Sequence, residues 1–442
     1  MSGRWSAGAG AAPAGVPQGG RDHPGGFGEP CYSSKMRLFV SWGAALLFLA
    51  LGPGSGLPAS GVPWGPRSDE VARGQRVLMA FAHEARASLA ESRGGSLHGG
   101  SMRADVRASL LAAFASAEKA LERSLATSPQ PSGSTTLHDG ALVGRLRIAT
   151  VDQVALDVVA YASGGLVVAG LLAYPDDGTP HSTVLHVHGG FGGIFTNADG
   201  DMVQTCIDWA GRYGRTAFAP SLRGQDGGEG APELCLGEAD DVGAAAALVR
   251  SLEVTDPDRV ALVGGSTGGC VVLRAAPQIE GLRAVVAYVP PTDWKGLVAF
   301  HRTSWAPATE SLCEGGSRLW DVGGPALADV LDQMICGHVD CTDAEYEVRS
   351  PIPGVPFQTA PTLVVSAGSD NVVPLDQQVL YSVLRQGSGH PVDVYVTDPC
   401  DPAGTAAGAT DTLLHVREAY HLLSVGAVGS GFLYLMQELD RP

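Results

Sequence analysis

The chain has 442 residues, 60 of them glycine, and 46 acidic against 29 basic side chains give a formal net charge of −17. That length can bury a sizeable core and admits two or three domains. The charge argues against a nucleic-acid partner, because phosphate backbones are bound by an excess of Lys and Arg.

Residues 1–35 are rich in Gly, Ala and Pro, lack hydrophobic periodicity, and are expected to be a disordered leader, with Met36 the better candidate for the start. Lys35-Met36-Arg37 then precedes LFVSWGAALLFLAL, an apolar run over 38–51, and small residues Ala59-Ser60-Gly61 follow. A basic segment, a short apolar segment and small residues describe a secretory signal peptide over 36–60. The run is shorter than the roughly 18–20 residues of a membrane span. The expected location is therefore secreted or periplasmic, with an N-terminal anchor over 38–51 as the alternative.

Residues 61–140 read as a linker and a helical segment. Leu78, Phe81, Ala85 and Leu89 share one face of a helix over about 69–92. Val106, Leu110, Phe114, Ala117, Leu121 and Leu125 mark a second at spacings of three and four. GGSLHGG between them predicts a helical hairpin, and TSPQPSGSTT (127–136) is a polar linker.

From about 145 the pattern changes. QVALDVVAYAS and GLVVAGLLAYP are β-rich runs joined by Gly164-Gly165, a hairpin signal. STVLHVH, TAFAP, RVALVG, AVVAYV, TLVVSAG and VDVYVT then alternate with helix-length segments. Near-continuous apolar strands separated by helices predict an α/β fold, a doubly wound, mostly parallel sheet covered on both faces. The predicted domain spans 141–442 and includes a helical insertion at about 291–350.

RVALVG runs into Gly264-Gly265-Ser266-Thr267-Gly268. No lysine follows, as a phosphate loop requires, and the spacing is not Gly-x-Gly-x-x-Gly. It fits Gly-x-Ser-x-Gly, a strained strand-to-helix turn that exposes a serine. A serine hydroxyl needs an adjacent base, held by a carboxylate. In doubly wound hydrolases the order is Ser, acid, His. Asp370 follows the strand TLVVSAG in a loop and is the candidate acid. Beyond VDVYVT stand His415 and His421, and Asp398, Asp401 and Asp411 fall in an irregular loop. His421, eleven residues before the amphipathic FLYLMQEL, is the preferred base and His415 the reserve. VLHVHGGFGG ends a strand in His188-Gly189-Gly190. Such a loop supplies one backbone N–H to an oxyanion, from Gly190, and Thr267 after the serine supplies the other. The competing reading of His186 and His188 is a metal pair, but no Glu-x-x-His accompanies them.

Those motifs together resemble the catalytic domain of the prolyl oligopeptidase family of α/β-hydrolases, from about residue 150 onward. Further matches are APSLRGQDGGEG, EADDVGAAAALV, PPTDW (290–294), SPI (350–352) and SDNVVP (369–374). The resemblance implies an α/β-hydrolase fold with Ser266 as nucleophile, Asp370 as acid and His421 as base. It implies cleavage of a peptide or small ester substrate with no metal or organic cofactor. Where that family shows Gly-His, this chain has Ala419-Tyr420-His421. Nor does a propeller's short-strand pattern precede the domain, so the hairpin and the insertion are expected to govern access. Three functions remain open: a secreted serine peptidase, a carboxylesterase on small or sugar acyl esters, and an inactive hydrolase fold used for binding. Arg223, Asp240 and Asp241 read as a structural tie between a strand-end loop and the next helix.

Export permits disulfides. Cys336–Cys341 and Cys206–Cys235 are the candidate pairs, and Cys270 is expected to stay a free thiol. No paired Cys-x-x-Cys supports a zinc site.

Overall fold

A computed structural model describes residues 68–91, 102–127, 137–195, 202–311, 317–398, 411–421 and 425–441. The leader at 1–35, the signal-like segment at 36–60 and the linkers at 61–67, 92–101 and 128–136 lie outside the described residues.

Two helices come first, α1 (Ser68–Glu91) and α2 (Ala104–Thr127). Phe81, Ala85 and Leu89 are buried with Val106, Leu110, Phe114 and Leu121, so the two apolar stripes meet. Hydrogen bonds from Gln75 to Ser124 (3.0 Å) and Arg86 to Glu118 (2.6 Å) show that the helices run antiparallel.

A meander follows: β1 (Leu142–Val151), β2 (Val154–Ser163) and β3 (Leu166–Pro175). Gly164 and Gly165 both take positive φ (55° and 79°) in the two-residue turn between β2 and β3. β1 is absent from the predicted strands because Arg145 and Arg147 interrupt its apolar pattern. Both guanidiniums reach across to the buried Asp157 of β2, at 2.6 and 2.5 Å.

The chain then runs β4 (His181–Val187), α3 (Met202–Gly211), β5 (Thr216–Pro220), α4 (Gly237–Ser251), β6 (Thr255–Gly265), α5 (Thr267–Ala275) and β7 (Leu282–Tyr288). Next come α6 (Trp294–Thr303), β8 (Ala308–Ser311), β9 (Ser317–Trp320), α7 (Pro325–Cys336) and α8 (Asp343–Glu347). The last elements are β10 (Thr362–Ala367), α9 (Leu375–Gly387), β11 (Val392–Thr397), β12 (Asp411–Val416) and α10 (Val425–Asp440). Ten strands form one sheet in the order β1-β2-β3-β5-β4-β6-β7-β10-β12-β11. It is antiparallel from β1 to β5 and parallel thereafter.

Successive residues of a buried strand feed opposite cores. Leu156 and Val158 face α1, α2, α3 and α10, whereas Ala155, Val159 and Tyr161 face α4, α5, α6 and α7. That partition corrects the cysteine pairing. Cys206 of α3 lies in the first core, while Cys235 and Cys270 lie in the second. Cys206 therefore cannot reach Cys235 through the sheet, and Cys270 is not a free thiol. Cys235 is bonded to Cys270, with their Cα atoms 6.1 Å apart, and Cys336 to Cys341.

The segment 291–350 holds α6, α7 and α8 and also the hairpin β8–β9. A larger difference concerns residues 411–416, read from sequence as irregular. They form β12, parallel to both β10 and β11 and lying between them. Asp411 at its start is buried, accepting from Thr362 N–H (2.8 Å) and from Arg385 Nε of α9 (2.8 Å). Breaking a buried ion pair from one side strands the other charge. Asp411→Ala should lower unfolding free energy by about 3–5 kcal/mol, and the joint Asp411→Leu, Arg385→Met change should recover most of it. Urea unfolding of the three proteins checks both, and a loss below about 1 kcal/mol in the single variant would refute the anchoring role.

Candidate active site

Ser266 sits at the junction of β6 and α5 with φ 53° and ψ −124°, a conformation costing roughly 1–3 kcal/mol for a residue with a side chain. The neighbouring glycines make that turn sterically possible. A Cβ on Gly264 would lie 2.3 Å from the Gly268 carbonyl oxygen, and one on Gly268 would lie 2.3 Å from that of His188. The strained serine is pinned by its N–H, which donates to the Tyr288 carbonyl of β7 (2.8 Å).

His421 Nε2 lies 2.9 Å from Ser266 Oγ, and His421 Nδ1 lies 2.7 Å from Asp370 Oδ2. The Asp370 carboxylate is fully buried, and its Oδ1 accepts from the Val372 and Val373 N–H groups (2.8 and 2.9 Å). Both lone-pair faces of the acid are thus engaged, which fixes its orientation toward the imidazole. The acid and base loops are laced by backbone: Gly368 N–H donates to Val416 O, and Ser369 N–H to Ala419 O, both at 2.8 Å. The hairpin β8–β9 braces the base loop from outside. Trp320 stacks on Tyr420 at 4.3 Å, and Ser311 Oγ donates to Glu418 (2.6 Å). Sequence reasoning missed this brace, because Trp320 and Tyr420 are a hundred residues apart.

His415, the reserve base, points elsewhere. It lies in β12 with Nδ1 3.1 Å from the Ser366 hydroxyl, and burial pulls its pKa down. The structure brings together Ser266, His421 and Asp370.

Gly190 follows β4 at φ 70°, and its carbonyl accepts from the Thr267 hydroxyl (2.7 Å). This bond ties the Gly190 loop to the first turn of α5. First-turn N–H groups of a helix have no carbonyl partner within the helix, so the Thr267 N–H is directed outward. Asp226 supports the same loop, accepting from Ile194 N–H (2.8 Å) and Ser221 Oγ (2.6 Å). The helical hairpin supports it too: Phe81 and Phe114 pack edge-on against Phe195, and Ser88 donates to the Phe195 carbonyl (2.6 Å).

The two strand histidines are in polar contacts of the core. Trp209 Nε1 approaches His186 Nδ1 at 3.4 Å, and His188 Nδ1 lies 2.9 Å from the Gly189 carbonyl. The Gln225 amide, turned nitrogen-inward, donates to His188 Nε2 (2.9 Å). Arg223 donates to Asp241 through its backbone N–H and guanidinium (2.8, 3.1 and 3.0 Å), the tie between loop and helix that the sequence suggested. Asp240 is not part of that contact.

The sequence model of the alpha/beta hydrolase family matches residues 184–406, half of the chain. The chain belongs to the alpha/beta hydrolase family. The matched stretch of this hydrolase runs from β4 past β11 and ends before His421. The peptidase YtmA of Bacillus subtilis is 24% identical over 243 residues, covering 55% of this chain and 84% of that protein. The dual function macrocyclase-peptidase POPB of Galerina marginata is 25% identical over 258 residues, 51% of this chain but 32% of its own length. Among solved structures, acetyl xylan esterase 1 from Thermoanaerobacterium is similar with TM-score 0.46 and 14% identity, covering 66% of this chain and 85% of the esterase. Acylaminoacyl peptidase from Pyrococcus horikoshii gives 0.44 and 15%, over 65% of this chain and 40% of the peptidase.

Two expected outcomes test this geometry. Gly268→Ala forces a methyl into the Val187 and His188 carbonyls and should abolish soluble, active-site-competent hydrolase. Recovery of native labelling by a serine-directed phosphonate would refute the packing constraint. Burial holds the His186 pKa down to about 4, with a smaller push from His188. The unfolded chain protonates this imidazole near 6.5, so stability is lost as pH falls from that value toward 4. The loss should reach up to about 2 kcal/mol at pH 5. His186→Gln should flatten the dependence, as read from urea midpoints at pH 7 and pH 5.

Proposed function

We propose that this hydrolase is an exported serine hydrolase that cleaves short peptide or aminoacyl substrates through a covalent acyl-enzyme. The observation that carries the reading is the unbroken hydrogen-bonded line from the Ser266 hydroxyl through the His421 imidazole to the buried Asp370 carboxylate. In this mechanism Ser266 Oγ attacks the substrate carbonyl carbon while its proton passes to His421 Nε2. Asp370 holds the imidazole in the tautomer with Nε2 unprotonated, accepting from Ser266 Oγ, and stabilises the imidazolium. The Gly190 and Thr267 N–H groups hold the developing oxyanion. His421 then returns the proton to the leaving nitrogen as the C–N bond breaks. Water, deprotonated by the same histidine, releases the acid and restores the serine. No step requires a metal or organic cofactor.

The peptide reading is supported by the peptidase relatives and by the motifs along 150–442. Ester hydrolysis is the second reading. It is favoured by the element that precedes the sheet among the described residues, a helical hairpin packed on the Gly190 loop. Export is supported by the signal-like sequence at 36–60 and by the disulfides Cys235–Cys270 and Cys336–Cys341.

A fluorophosphonate probe tests the triad. The native protein should label, and Ser266→Ala and His421→Ala should not. Asp370→Asn should label on the order of 10⁴-fold more slowly, and His415→Ala should label normally. Failure of the native protein to label would sink the catalytic reading. Labelling lost in His415→Ala and kept in His421→Ala would reassign the base.

A further inference from the structure

Beside Gly190 and Thr267 lies a cavity of about 20 Å³, walled by Phe191, Leu234, Val271 and Met334 and lined also by Glu238. A space of that size takes roughly one water molecule or one small functional group. Its wall is apolar apart from a few groups, and Glu238 is the one carboxylate among them. Glu238, in the first turn of α4, is 3% exposed. Its Oε1 accepts from the Glu233 and Leu234 N–H groups (2.7 and 3.1 Å), whereas Oε2 is buried with no hydrogen-bond partner. Of the nearby cations, Arg223 is taken up by Asp241 and Glu233, and Arg349 donates to the Glu233 and Glu345 carbonyls. A buried carboxylate oxygen without a donor is costly, and burial pushes this carboxyl above the usual glutamate range. Glu238 thus brings to the cavity's lining a buried carboxylate with one oxygen engaged and the other without a side-chain or main-chain donor.

The position of the cavity says which part of a substrate would fill it. The leaving group must face His421, which protonates it. None of the cavity's lining residues comes from the Asp370 or His421 loops; they come from the Gly190 loop, the β5–α4 connection, the first turn of α4, α5 and α7. The side of Ser266 remote from the base receives the acyl portion. Resting on the serine-hydrolase reading above, we propose that Glu238 selects a short acyl group carrying a primary amine, as in a small aminoacyl residue with a free amino group. The ammonium would donate to Glu238 Oε2, and its one or two methylenes would lie against Leu234 and Val271. The disulfide Cys235–Cys270 joins the Glu238 loop to α5, holding the acceptor at a fixed place relative to the serine.

The test compares matched pairs differing only by amine against methyl: glycyl with propionyl, and β-alanyl with butyryl. Each is offered as a coumarin amide and as a methyl ester. At least one amine-bearing member should exceed its alkyl partner by about tenfold or more in kcat/KM, the scale of a charge-assisted hydrogen bond. Glu238→Gln keeps the Oε1 contacts but turns a donor toward the cavity, and should remove or reverse that ratio. The ratio is taken within one protein, so a partly misfolded variant lowers both members and leaves it readable. Equal rates, or preference for the alkyl member, in a native protein that labels with fluorophosphonate would overturn the assignment of Glu238 and leave the triad standing. A ratio unchanged in Glu238→Gln would overturn it as well. Absence of both labelling and hydrolysis would overturn the serine-hydrolase reading and this inference with it.

Discussion

The backbone of α5 approaches the carbonyls of Val187 and His188 so closely that residue 268 can carry no side chain. Most of the site follows from that approach. It brings the end of β4, where Gly190 lies, against the turn after β6, where Ser266 lies. The Thr267 hydroxyl can then bond the Gly190 carbonyl, which holds the loop after β4 against the first turn of α5. A side chain at 268 would push these strand ends apart and separate the serine from its electrostatic surroundings.

Around that contact the protein places rigid support on every loop that carries a functional group. The Gly190 loop is held by Asp226 and by the aromatic rings of the helical hairpin. The acid loop is held by its own Val372 and Val373 N–H groups, and the base loop by two backbone bonds and the Trp320–Tyr420 stack. Preorganised dipoles stabilise developing charge without reorganising during the reaction, so these supports act on the chemistry although none touches it. The expectation that the hairpin governs access is better replaced by one of support, because α1 and α2 pack on β1–β3 and Phe195.

Features with a local signal were legible in the sequence. The glycines around Ser266, the strand-end position of Asp370, the Gly164-Gly165 turn and the two apolar helical stripes each rest on neighbours within a few residues. Features that depend on distant partners were not. β1 reads as broken by Arg145 and Arg147 until Asp157 is placed opposite them. Cys206 and Cys235 look pairable until the sheet is put between them. β12 is the short segment DTLLHV, half of it polar, and its leading aspartate makes sense only against Arg385 of α9. Glu238 stands in the matching stretch EADDVGAAAALV, and nothing in the linear chain signals that its side chain lines an apolar cavity.

The place of β12 in the sheet bears on when activity can arise. β12 follows both β10 and β11 in the chain yet lies between them. A nascent chain lacking residues 411–421 can already form the serine turn and the acid loop, but it has neither the strand joining the sheet's last two members nor the histidine five residues beyond that strand. Domains tend to fold as their residues emerge during synthesis. Here the segment that completes the sheet also delivers the base. Until it inserts, Ser266 has no proton acceptor at 2.9 Å, so an unfinished chain would hold a nucleophile that cannot yet react.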